Sequence, residues 1–185
     1  MKKTYRNTLK TKKAIKEAFV QLVDEKKDIY RISVTELIKK ADIAKSTFYL
    51  HYEDIFSVAE EFENEILNAL CEIINNTSST KESFENSLEL SFNYLKEKEH
   101  IYSQILTSST PSYFIEKLKK RLSEQVFNKI DIPFLSTNPH IRSAQISFFA
   151  NGTVDLVVDY FKGKSKISLD EIKKVILLLI NQVSK

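Results

Sequence analysis

Two glycines and three prolines are all the backbone breakers in 185 residues, and tryptophan is absent. So few breakers exclude a fold built on many tight turns and leave long helices joined by short connections. Cys71 is the sole cysteine, which rules out an intrachain disulfide framework and makes a cysteine-based metal site implausible. His51, His100 and His140 lie far apart, without ligand spacing, so no metal site is expected. Two glycines cannot build a glycine-rich phosphate loop, and no Ser-His-Asp or Cys-His arrangement is visible. Neither enzymatic activity nor a bound cofactor is expected. No apolar run reaches the roughly 18 residues that a membrane span needs. Met1-Lys2-Lys3 is basic, but no apolar stretch follows it. A secretory leader is therefore not expected, and the compartment indicated is the reducing cytoplasm.

What is present is ordinary in bulk and uneven in distribution. Hydrophobic residues make up 42% and charged residues 29%, enough to bury a core and keep the chain in solution. The net charge of +3 hides an asymmetry: residues 1–52 carry 13 Lys/Arg against 6 Asp/Glu, and the remainder 15 against 19. A basic N-terminal third on an acidic body indicates one part that meets a polyanion and one that does not.

The helical spacing of Ile15, Ala18, Phe19, Leu22 and Val23 predicts an amphipathic helix from about Asn7 to Lys26. A basic extension with Lys2, Lys3 and Arg6 precedes it and is expected to be a mobile arm. Ser33-Val34-Thr35-Glu36 reads as a capping box that opens a helix to about Ala41. Asp42-Ile43-Ala44 is a short break, and Lys45–His51 a second short helix. Asp54 caps a long helix to about Ile74, and a polar linker follows at Asn75–Thr80. Helices are expected over Lys81–Lys96, around His100–Leu106, from Pro111 to about Ile130, and from Ile141 to Phe161. The segment with Pro133 and Pro139 is irregular, and Lys162-Gly163-Lys164 stops the helix that ends at Phe161. Ser168-Leu169-Asp170-Glu171 caps a final helix to residue 184 that is apolar on more than one face. The fold class is all-α, with about nine helices. A three-helix helix-turn-helix domain (residues 1–54) precedes a six-helix ligand-binding and dimerisation domain (residues 55–185).

Two short helices joined by a three-residue break make a helix-turn-helix outline, in which the second helix can enter a major groove. That second helix must be anchored on its inner side. Phe48 and Tyr52, four apart, share one face and can do this. Lys45, Ser46, Thr47, Tyr49 and His51 are left to reach bases and phosphates.

The stretch Ile32–Tyr52 resembles the helix-turn-helix of TetR-type transcriptional regulators. Its most telling part is Ser46-Thr47-Phe48-Tyr49-Leu50-His51-Tyr52, where these regulators often read Gly-Thr-Phe-Tyr, any residue, His-Phe. The likeness covers roughly residues 8–70. It implies that Phe48 and Tyr52 are core residues and that Thr47 and Tyr49 face the groove or adjoining phosphates. His51 would approach the backbone and Lys45 would lie near base edges or phosphate. Thr35 would bond a phosphate together with nearby backbone amides. The chain departs from the pattern at three places: Asp42 stands where the turn usually has glycine, Ala44 where the helix cap is usually serine, and Ile55 where a lysine usually begins the fourth helix. The basic arm is expected to replace the backbone contact missing at Ile55.

For the C-terminal part the resemblance is architectural, apart from a weak likeness over Phe148–Thr153 and Tyr160-Phe161. It implies a homodimer through the last two helices, about 141–161 and 168–184, which fits the all-round apolarity of the latter. The domain is rich in aromatics, with Phe62, Phe84, Phe92, Tyr94, Tyr102, Tyr113, Phe114, Phe127, Phe148 and Phe149. They either fill the core or line a pocket for a hydrophobic small-molecule effector. The function implied is a dimeric repressor on a pseudo-palindromic double-stranded DNA operator, released by an effector. The alternative is a helical co-regulator that acts through a protein partner with no operator of its own.

Overall fold

Every regular element among the described residues is a helix. The computed structural model describes the backbone of residues 2–78, 80–107, 112–129 and 135–183. Side chains are described for residues 8–78, 80, 82–106, 114–124 and 135–181. The α-helices are α1 (Lys2–Lys26), α2 (Val34–Lys40), α3 (Lys45–Tyr49), α4 (Ile55–Asn75), α5 (Lys81–Glu97), α6 (Glu99–Thr107), α7 (Ser112–Lys129), α8 (Pro139–Phe161) and α9 (Leu169–Val183). The chain forms two compact units. One holds Met1–Asn64 with Ser103–Thr110, the other Glu65–Tyr102 with Pro111–Lys185.

In the first unit α1 packs on α2 and α2 on α3. Ile15, Phe19, Val23, Leu37, Phe48 and Val58 are almost wholly removed from solvent. Each such side chain contributes about 1.5–3 kcal/mol by burial. Phe19 stacks on Phe62 of α4 with ring centroids 5.7 Å apart. Two ion pairs tie α1 to α2: Lys26 to Glu36 at 2.5 Å and Lys40 to Glu25 at 2.5 Å. Near the end of α6, Gln104 Nε2 donates to Asp24 at 3.3 Å.

In the second unit α8 packs on α7 and α9, and α9 on α5. α8 buries Ile146, Val154, Val158 and Phe161, and α9 buries Leu169, Ile172, Ile176 and Ile180. Lys173–Glu89 (2.6 Å) and Lys96–Asp170 (2.8 Å) link α9 to α5. The Tyr102 hydroxyl donates to Tyr94 at 2.8 Å. Burial, reinforced by that bond, raises its pKa.

Several expectations are adjusted. The helix predicted from about Asn7 extends back to Lys2, since neither glycine nor proline interrupts these residues; the basic segment continues α1 in place of a mobile arm. A single 3-10 turn, Ile29–Arg31, capped by Asp28, precedes α2. α8 starts at Pro139, two residues early, because Asn138 Oδ1 accepts from the amides of His140 and Ile141 and proline suits a first helical position. α8 ends as expected at Gly163, whose φ of +67° favours glycine. Pro111, Ile130 and Ile132-Pro133-Phe134 lie outside the described residues.

Candidate nucleic-acid interface

The capping box at α2 is present in full. The Glu36 amide donates to Ser33 Oγ (3.2 Å), and the Ser33 amide donates to the Glu36 carboxylate (3.0 Å). The hydrogen bond from Lys26, then those from Ser33, hold Glu36 down at about 2. After Ala41 the chain reverses at Asp42, whose φ of +52° lies in the left-handed region. A glycine adopts this conformation freely, and aspartate tolerates it better than most residues. The next residues lead into α3 with Ala44 at the N-cap, where no side chain accepts a first-turn amide.

What holds this five-residue helix is tertiary. Phe48 is fully buried and Tyr52 nearly so, their ring centroids 5.7 Å apart. The Tyr52 hydroxyl donates to Glu61 Oε2 on α4 at 2.7 Å, and Lys12 Nζ on α1 donates to the same oxygen at 2.8 Å. The Lys12 ammonium also stands 5.3 Å over the Tyr52 ring. Burial pushes the Glu61 carboxyl up, but the bonds from Lys12 and Tyr52 outweigh it and hold it below the usual range. Glu61 and Lys12 are the positioning residues that no local pattern announces: they stand 49 residues apart.

With its inner side anchored, α3 presents the opposite face. Lys45, Ser46 and Tyr49 are exposed, and Thr47 and His51 are half-buried. Tyr49 rests edge-on against Phe48 at 5.3 Å, and the Lys45 ammonium lies 6.0 Å from the Tyr49 ring centroid. Thr35 is exposed in the first turn of α2, where Ser33 already takes the Glu36 amide. Lys2, Lys3 and Arg6 belong to the first turns of α1, and their side chains lie outside the described residues. Ile55 is buried, so that position supports the core. Asp54 beside it caps α4 by accepting from the Ser57 amide at 2.8 Å. An exposed aromatic pair, Tyr30 and Phe56, with centroids 5.1 Å apart, was not anticipated.

Two open grooves lie within the second unit. One, of about 510 Å³ between α7 and α8, is lined by Glu116, Lys119, Lys120, Ser123, Glu124, Ser143, Ile146, Ser147 and Asn151. The other, of about 320 Å³ between α4 and α5, mixes Asn76, Thr77, Ser83, Asn86 and Ser87 with Ile73, Leu90 and Tyr94. Of the aromatics suggested as pocket walls, Tyr94 alone lines either groove. Phe92, Tyr102 and Phe114 are buried core, and the side chains of Tyr113 and Phe127 lie outside the described residues.

Solved structures share this fold over nearly the whole chain. A TetR transcriptional regulator from Streptococcus agalactiae is 22% identical, with 96% of this chain and 97% of that chain covered and a TM-score of 0.60. A putative TetR-family regulator from Syntrophomonas wolfei is 17% identical, with 94% of each chain covered and a TM-score of 0.68. The dihydroxyacetone kinase operon activator DhaS is 19% identical, with 93% and 94% covered and a TM-score of 0.62. No protein of curated function matches the sequence. The TetR family model described as the transcriptional regulator C-terminal region matches residues 82–182, more than half of the chain. With its all-helical fold and its helix-turn-helix, the chain belongs to the TetR family of transcriptional regulators.

Proposed function

We propose that this regulator acts in the cytoplasm as a homodimeric repressor on a pseudo-palindromic DNA operator. The observation that carries the reading is the two-sided character of α3: Phe48 and Tyr52 locked inward, Lys45, Ser46 and Tyr49 exposed outward. Thr47, Tyr49 and Lys45 would read the major groove or its margins. Ser46, His51 and Thr35 would engage phosphates, and Lys2, Lys3 and Arg6 would add salt-dependent affinity from α1. Dimerisation would use α8 and α9, which leave Ile141, Phe148, Leu156, Val175, Leu178 and Leu179 exposed. An effector would bind the second unit and act through α4, which runs from one unit into the other. The mixed polar lining of its grooves favours a polar or amphipathic molecule over the purely hydrophobic one first expected.

The test is selection from random duplex DNA, followed by a salt series on the selected site. An inverted repeat, bound less tightly as salt rises and lost on Tyr49→Ala, is the expected result. A second reading, a co-regulator working through a protein partner, is favoured by Asp42 in the turn, the uncapped Ala44 and the buried Ile55. It predicts no enrichment of any sequence even at low salt.

A further inference from the structure

The helical turn of α3 continues past Tyr49. Leu50 keeps a right-handed helical conformation, with φ of −72° and ψ of −18°. Its amide donates to the Ser46 carbonyl at 3.2 Å, and the Tyr52 amide donates to the Phe48 carbonyl at 3.0 Å. Residues 45–52 therefore share one helical wheel. At about 100° per residue, Leu50 falls roughly 180° from the mean direction of buried Phe48 and Tyr52. The two residues that anchor the helix thus aim Leu50 outward. Ser46 and Thr47 flank it on the wheel, whereas Tyr49 stands to the side and rests edge-on against Phe48. Leu50 is 81% exposed, more than any other large apolar side chain among the described residues. A lone leucine on a protein surface is ordinary. What sets this one apart is its place at the crest of the helix that the proposed function puts in the major groove.

We propose that Leu50 is a specificity-determining residue that reads thymine, packing against the C5 methyl of one thymine in each half-site. Leucine has no hydrogen-bond donor or acceptor, and of the groups that base pairs present in the major groove only the thymine methyl is apolar. The donors and acceptors of a guanine or cytosine edge would lose water to this side chain and gain no partner in return. Leu50 therefore selects for thymine by attraction and against the other bases by desolvation. Ser46, one turn before it, can donate or accept, so its hydroxyl discriminates less than the leucine beside it. The contact adds an apolar element to a readout otherwise built on Lys45, Thr47 and Tyr49. The inference rests on the DNA-binding reading above and names one base that each half-site must contain.

The test uses the full chain and the operator that it selects from random duplex DNA. Each thymine of a half-site is replaced in turn by deoxyuridine, which removes the C5 methyl and keeps the base pair. Wild type is expected to lose roughly fourfold in affinity per half-site at one position, the worth of about one buried methyl. Leu50→Ser, a change on an exposed side chain that should leave the melting curve in place, should be indifferent to that replacement. Its binding to the thymine operator should weaken with the salt slope unchanged, because no phosphate contact is lost. Selection repeated with Leu50→Ser should relax the thymine preference at that position alone. Deoxyuridine losses of equal size in both proteins, no loss at any position, or a half-site without thymine overturns the contact while leaving an operator-binding regulator standing. No enrichment of any sequence by wild type overturns the DNA-binding reading, and this contact with it.

Discussion

The two units spend their apolar residues differently. Among the described residues, six of the largest fully buried side chains (Ile15, Phe19, Val23, Leu37, Phe48 and Val58) lie in the first unit and only Ile172 in the second. Large exposed apolar side chains are divided more evenly: six lie on α8 and α9, and five (Leu9, Tyr30, Tyr49, Leu50 and Phe56) in the first unit. The first unit closes its core, and what it shows solvent is polar and aromatic apart from Leu9 and Leu50. The second leaves six large apolar side chains exposed on two adjoining helices, the surface to which the proposed function assigns dimerisation. Two phenylalanines express the contrast: Phe48 holds its own unit together, and Phe148 contributes little to the chain that carries it.

The largest expected effect separates those two residues. Phe48→Ala should destabilise the first unit by about 3–5 kcal/mol, through lost burial and a cavity. Phe148→Ala should leave the stability of the dissociated chain within about 0.5 kcal/mol. Denaturant melts of dilute protein measure both, and equal losses would break the comparison. Next, Leu178→Glu, on a side chain 60% exposed, should preserve helicity but dissolve the proposed dimer. Operator affinity should then fall by about 100-fold or more, because the two half-sites no longer bind as one ligand. Sedimentation and mobility-shift titrations check the two parts separately.

Smaller effects test whether the first unit is optimised throughout. α3 lacks a side-chain cap, so Ala44→Ser should add about 1 kcal/mol to the stability of that unit. Asp42→Ala should remove about 1 kcal/mol, since alanine tolerates the left-handed φ of +52° less readily than aspartate does. Chemical denaturation resolves both signs. The smallest expected effect is electrostatic. Glu36 titrates at about 2 against an ordinary 4.5, so its contribution is present above about pH 4.5 and is lost as pH falls towards 2. Glu36→Gln should flatten that part of the acid limb for the first unit. The limb of the second unit, where Glu89, Asp170 and Glu171 are also held low, should stay unchanged.

Much of this was readable along the chain. Ser33 with Glu36, and Ser168 with Glu171, announce two helix starts, and both reciprocal bonds form. The Phe48–Tyr52 spacing identifies the inner side of α3, and Gly163 the end of α8. These signals are local, carried by residues within a turn of one another. The α8 start is less legible, because Pro139 by its own chemistry fits a break as well as a first helical position, and only the Asn138 cap decides between them. The Lys12–Glu61–Tyr52 cluster was not readable, because spacing within a helix says nothing about which residue of a distant helix comes opposite.

By itself the sequence determined the helical class, most helix ends and the helix-turn-helix, because capping, periodicity and breaker content act over a few residues. Tertiary structure decided which apolar faces are covered. α9 is apolar on several sides, and packing buries Ile172, Ile176 and Ile180 while leaving Val175, Leu178 and Leu179 outside. Periodicity alone could not choose, since hydrophobic burial has no direction and its outcome depends on which neighbours the whole chain brings alongside.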